Sequence, residues 1–231
     1  MWRKTKTLSV WRWGLVGGFV LAAAVALRLF VDEAKGLQGT VFDVPSTLLQ
    51  ARKQAIDIPR PRGWKQQQQL LVRCEDLLSS VYLQLATPAV RRNVTVPCLS
   101  FADDVLRGAP TVAIAHLIRA EVYALRNAEE QARAAYHTAQ RFAPEEGWLA
   151  ARRLRFALPL WGGLARAPDE QEALVKDQRL VLATDRYRPL LAQLYDQNPQ
   201  ARDWMIIHLE AAPARQKAQF LNDIRQRSRG L

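Results

Sequence analysis

The sequence is poor in the side chains that most often carry chemistry. Its three histidines, His116, His137 and His208, stand far apart and outside any motif. A zinc site or a general base needs further ligands or an orienting carboxylate, and Glu121 is only a formal candidate for that role. No G-x-S-x-G, no H-E-x-x-H and no glycine-rich phosphate loop occurs, so the signatures of serine hydrolases, zinc proteases and P-loop enzymes are missing. Only two cysteines are present, neither in a C-x-x-C arrangement, which argues against a thioredoxin-type redox motif. Residues 1–31 contain no acid. β-Branched residues are few outside short patches, while Ala, Leu, Arg and Gln dominate, a composition that favours helix. These shortages lead us to expect an all-α chain with no catalytic residue, no metal site and no cofactor.

The basic balance has a local cause. The formal net charge is +11, of which Arg3, Lys4, Lys6, Arg12 and Arg28 supply +5 within the first 31 residues. The remaining excess is spread thinly, so no nucleic-acid partner is expected. From Trp13 to Val31 the chain is apolar apart from Arg28. About 20 apolar residues span a bilayer, and Arg28 can snorkel to the far interface. Basic residues precede the run, and Asp32 and Glu33 follow it. The positive-inside rule then places Met1 in the cytoplasm and the bulk of the chain outside, with Trp2, Trp11 and Trp13 as an aromatic belt. The same pattern, with Ala24-Val25-Ala26, also suits a cleavable secretory signal. The apolar run resumes after Ala26, which favours a retained anchor. The Ala- and Arg-rich composition suggests a bacterium with a GC-rich genome. The expected location is therefore the bacterial inner membrane, crossed once, with the C-terminal domain in the periplasm.

The expected organisation is a cytoplasmic tail at 1–12, an anchor at 13–31, a juxtamembrane linker with a short helix at 32–63, and a helical domain at 64–231. The short helix is expected from Ser46 to Ile56, capped by Ser46 or Thr47. Leu70, Leu71, Cys74, Leu77, Leu78, Val81 and Leu85 recur at helical steps. That stripe predicts one long helix from Lys65 to Leu85, ended by Pro88. Cys74 and Cys98 fall on the exported side, where oxidation is permitted. A disulfide between them would pin residues 94–99 against the long helix; two buried thiols or a redox pair are the alternatives. Asn93-Val94-Thr95 matches a glycosylation sequon, which in a bacterium is coincidence.

The stretch from Gly108 to Leu158 is the centre of the domain. Two amphipathic helices flank a short turn at Arg126-Asn127-Ala128, and a third starts behind Pro144. Ala120 and Ala132 let the helices approach closely, while Tyr123 and Tyr136 fill the groove between them. With Ala139, Pro144 and Trp148, this spacing resembles a tetratricopeptide repeat. The resemblance covers one full repeat and a degenerate opening of a second, about 50 residues. It implies stacked helical pairs that hold a partner. The chain departs from the pattern at His116 and Arg119, and again at Arg152 and Arg155, which replace a small residue and a tyrosine. Asp103-Asp104 and Glu129-Glu130 are acid pairs expected at helix N-termini. Downstream, Pro159 is expected to end the third helix, and shorter helices follow, the last from Ala214 to Arg227.

Arg119, Arg126, Arg152, Arg153 and Arg155 are the candidate interaction face, either for an acidic partner or as an ordinary solvated surface. The expected function is a non-enzymatic, membrane-anchored scaffold binding a protein in the inner membrane or periplasm. The hairpin followed by APEEGWLAARRLRFALPLW also resembles bacterial membrane-anchored repeat proteins associated with envelope polysaccharide polymerisation or export. Two other classes remain open. One is a subunit of a secretion, division or respiratory complex held through its transmembrane helix; the other is an envelope polymer-modifying enzyme.

Overall fold

A computed structural model describes residues 16–28, 30–31, 43–161 and 168–229. Among these residues every regular element is helical, so the chain is all-α. The tail expected at 1–12, Trp13 to Leu15 of the apolar run, residues 32–42 of the linker and Gly162-Gly163 lie outside the described residues. Residues 16–28 and 30–31 are helical and form α1. All of α1 is exposed, with Phe19 at 83% and Leu21 at 71%. Among the described residues, no helix is long and apolar enough to cross a membrane.

The short helix α2, Val44–Ala51, starts two residues earlier than expected because Asp43 is its cap. The Asp43 carboxylate accepts from the Ser46 amide, and the Ser46 and Thr47 hydroxyls donate back to the Asp43 carbonyl. The expected helix from Lys65 to Leu85 is two helices, α3 (Trp64–Leu78) and α4 (Val81–Gln84). The break falls at Ser79-Ser80. The Ser80 hydroxyl accepts from the Leu83 amide, a local alternative to continuing the helical ladder. Pro88 does not end a helix but begins α5, Pro88–Gly108, where its missing N–H is harmless.

Helix α5 was hidden in the sequence by Pro97 in its interior. Proline cannot donate to the carbonyl four residues back, here that of Asn93. That carbonyl instead accepts the Ile56 amide at 3.1 Å. The Asn93 side chain donates to the Ala51 carbonyl at 2.9 Å. The gap left by Pro97 thus becomes the attachment point for the end of α2, and the amide of the sequon is engaged within the fold.

Helices α6 (Ala113–Leu125) and α7 (Glu129–Phe142) form the expected hairpin, the most extensively packed pair. Ala120, Ala132 and Ala139 are fully buried at their contact. Asn127 turns the chain in the left-handed region, φ 57°, which asparagine tolerates better than most residues. Helix α6 also packs on α3, α5 and α8 (Gly147–Trp161), so its apolar residues sit at the centre of the core. Helix α8 runs through Pro159 to Trp161 rather than stopping there; so near the C-terminus a proline removes only a last-turn bond. Helix α8 packs on α9 (Pro168–Ala183). The chain closes with α10 (Arg188–Gln197), α11 (Arg202–Leu209) and α12 (Ala214–Arg229), α12 lying along α10.

Cys74 and Cys98 form a disulfide with their Cα atoms 5.7 Å apart, joining α3 to α5. Replacing both by serine removes a cross-link that, by loop entropy, is worth about 3 kcal/mol. Chemical unfolding of the serine pair should show a loss of that order. Unchanged stability would mean the bridge contributes nothing.

Candidate functional site

Helix α8 carries three arginines within four positions, and the structure pairs each with a carboxylate of a neighbouring helix. Arg153 is fully buried, as is Asp177 of α9. The Arg153 guanidinium meets this carboxylate with two parallel bonds, Nε to Oδ2 at 2.8 Å and Nη2 to Oδ1 at 2.7 Å. Its Nη1 donates to the Ala143 carbonyl, and the Tyr136 hydroxyl donates to Asp177 Oδ2 at 3.2 Å. Burial pushes the Asp177 carboxyl above the usual carboxylate range, against the opposing pull of Arg153.

Arg152 and Arg155 point the other way along α8, to Glu75 and Asp76 of α3. Arg155 Nη2 donates to both oxygens of the buried Glu75, at 2.6 and 2.8 Å. Arg152 pairs with Glu75 and, at 2.8 Å, with Asp76. Its guanidinium is pushed down to about 10, first by burial and then by Arg155 and Arg73. The expected interaction face is therefore corrected. Arg153 is inside, Arg152 and Arg155 tie α8 to α3, and Arg119 pairs with Asp103 at 2.7 Å. Arg126 alone of the five is exposed at the hairpin tip. Asp103 and Asp104 lie in the last turns of α5, not at a helix start, and Asp104 pairs with Arg60 and Arg107. Glu129 and Glu130 do open α7.

Tyr123 and Trp148 are half-buried against the core. Tyr136 does more than fill the hairpin groove: its ring meets the edge of Trp161 at 5.2 Å. Pro144 lies in the turn between α7 and α8. The histidines stay separate. His116 Nε2 donates to the Pro110 carbonyl, and its ring lies against Phe142. Burial lowers its pKa. His137 meets the edge of Tyr136, and His208 Nδ1 donates to the Trp204 carbonyl. Among the described residues no three His, Cys, Asp or Glu side chains converge as a metal site.

Two features were not read from the sequence. One is Glu121 as an isolated acid in the core: fully enclosed, with neither carboxylate oxygen hydrogen-bonded. Burial pushes its pKa well above the ordinary value, Arg155 opposing and Asp76 adding to the shift. The other is a groove of about 750 Å³ between α2 and the α4–α5 corner, lined by Leu48, Leu49, Arg52, Tyr82, Leu85 and Val90 among others. A smaller notch beside it on α5, about 320 Å³, is lined by Arg91, Arg92 and Arg126. The signal that could have located the groove is charge. Residues 44–56 and 77–102 hold Arg52, Lys53, Arg91 and Arg92 and no acid.

No protein-family model, curated protein or solved structure matches the chain.

Two measurements follow from the buried charges. Asp177→Asn leaves Arg153 buried without its counter-charge, and removing one partner of such a pair costs about 3–5 kcal/mol. Replacing both residues by apolar ones of similar volume should recover most of that loss in urea unfolding; a larger loss in the double variant would contradict it. For Glu121 the folded pKa lies above the unfolded one. Its contribution is therefore full below the unfolded value and is lost as pH rises through the folded value. Glu121→Gln should lessen the loss of stability as pH rises above the ordinary carboxylate value, and parallel curves for the two proteins would refute this.

Proposed function

We propose that this chain is a membrane-anchored, non-enzymatic accessory protein whose helical domain holds a partner protein at the outer face of a bacterial inner membrane. The observation that carries the reading is α1. A helix bearing Phe19, Val20, Leu21, Leu27 and Phe30 exposes them all, and burying each such side chain is worth about 1.5–3 kcal/mol. The apolar run extends beyond the described helix to Trp13 and includes Leu29. A bilayer would cover every face of it at once. The Cys74–Cys98 disulfide supports a domain on the oxidising side of that membrane.

The hairpin supports the scaffold part. Ala120, Ala132 and Ala139 give the close helix contact of a tetratricopeptide-like pair, and α8 stacks behind it as the next layer would. The charged side chains of α8 are occupied in holding helices together, which suits a rigid support better than an active site. The process served is proposed to be envelope polysaccharide polymerisation or export. A second reading, a subunit of another membrane complex held through its helix, draws on the same exposed α1.

One experiment separates them. Residues 13–31 are exchanged for an unrelated transmembrane anchor and the protein is crosslinked in membranes. A scaffold acting through its domain keeps its partner, expected to be a polytopic polysaccharide polymerase, ligase or exporter. Loss of every crosslink, or recovery of secretion or respiratory subunits alone, would overturn the proposal.

A further inference from the structure

The groove between α2 and the α4–α5 corner has the chemistry of a surface that rests on a bilayer. Helix α4 has four residues and buries only Leu83. It leaves Val81 63%, Tyr82 68% and the following Leu85 82% exposed. Across the groove α2 exposes Leu49. Of the exposed large hydrophobic side chains among the described residues outside α1, Leu49, Tyr82 and Leu85 line the groove, and Val81 stands beside Tyr82 on α4. Exposed apolar area gathered in one part of a fold marks an interaction site.

What covers it is indicated by charge and by tether. The groove lining holds Arg52 and no acid, with Lys53, Arg91 and Arg92 close to lining residues in sequence and Asp43 at the opposite end of α2 from Arg52. Arg52 and Lys53 are exposed, and Arg52 lines the groove itself. An apolar strip bordered by cations, with a tyrosine on it, matches the boundary between acyl chains and anionic headgroups. The tether is short. Val31 is the last described residue of α1 and Asp43 caps α2, and a dozen residues span at most about 40 Å even when fully extended. The first groove residue, Pro45, follows at once. Helix α2 is fixed to α5 by Asn93 and the carbonyl released by Pro97, so a force on the tether acts on the groove directly.

We infer that this groove is a second membrane contact: it lies on the anionic lipid surface next to the anchor and sets the orientation of the domain. The inference rests on the anchored reading of α1 and fixes something that reading leaves open, namely which side of the domain faces the lipid.

The test uses the full chain with Leu85→Cys carrying a polarity-sensitive dye; Cys74 and Cys98 are bonded to each other, so the label is unique. Ala218→Cys, exposed on α12, is the control. The labelled proteins are placed in nanodiscs of phosphatidylcholine with or without phosphatidylglycerol. The expected result is a blue shift and a severalfold fall in iodide quenching at position 85 but not at 218, stronger with phosphatidylglycerol. Arg52→Glu with Lys53→Glu should abolish the phosphatidylglycerol dependence. A chain that does not float with lipid overturns the anchored reading itself. A chain that floats while position 85 is quenched as readily as 218 overturns the groove contact alone. Shielding that follows protein concentration in detergent assigns the groove to a second copy and overturns it as well.

Discussion

Helix α8 places three arginines within four positions, and much of the domain is arranged to give each one a carboxylate. On a helix Arg152 and Arg155, three apart, share a face while Arg153 points to another, so the partners come from two directions. Asp177 on α9 meets Arg153 from one side. Glu75 and Asp76 on α3 meet Arg152 and Arg155 from the other. Burying a guanidinium costs several kcal/mol unless a partner and further hydrogen bonds offset it. Arg153 gets both, from Asp177 and the Ala143 carbonyl. A helix with only apolar contacts could slide or rotate against its neighbours at modest cost. One carrying bidentate pairs in two directions cannot, because a small rotation orphans buried charge on both sides at once.

The same constraint separates what was legible in the sequence from what was not. The α6–α7 hairpin was legible because its alanines and tyrosines recur at helical spacing and meet each other locally. The Cys74–Cys98 pairing was legible because there were only two cysteines to pair. The arginines of α8 were misread because their partners lie 24 to 80 residues away in sequence, and nothing local distinguishes a buried arginine from a solvated one. Glu75 is one acid on an otherwise apolar stripe, and its burial is decided by Arg152 and Arg155. Helix α5 was missed for a different reason. Asn93-Val94-Thr95-Val96-Pro97 has weak helix propensity, and the helix persists because Val94, Cys98 and Phe101 are buried against the core. The serines at 79 and 80 acted oppositely: the apolar stripe continues across them, but the cap at Ser80 starts a new helix.

Most titratable side chains with unusual surroundings are accounted for by packing. His116 and His208 are held by backbone carbonyls. Asp177 is saturated by Arg153 and Tyr136. Glu121 is perturbed, but it sits inside the core rather than in a cleft, away from the groove-lining residues. Perturbed ionisation points to function only where a substrate can reach the group. The groove between α2 and the α4–α5 corner is lined instead by Leu48, Leu49, Tyr82, Leu85 and Arg52 among others. That distribution is what the proposed holding role draws on.

Pro97 connects the two themes. A proline inside a helix costs about 3 kcal/mol or more, and nothing in the packing of α5 alone calls for one. Its effect is to release the Asn93 carbonyl, which then accepts the Ile56 amide. Asn93 contributes a second bond through its side chain. Helix α2 has only eight residues, too short to persist alone in water, yet it forms one wall of the groove and is the first described element after the tether. The proline therefore sits where the chain coming from the apolar helix must be gripped by the domain. Its cost is localised at the junction through which any orientation imposed at α1 has to pass. The proposed membrane contact would give that grip a use, since an orientation set at α1 would pass through it to the groove.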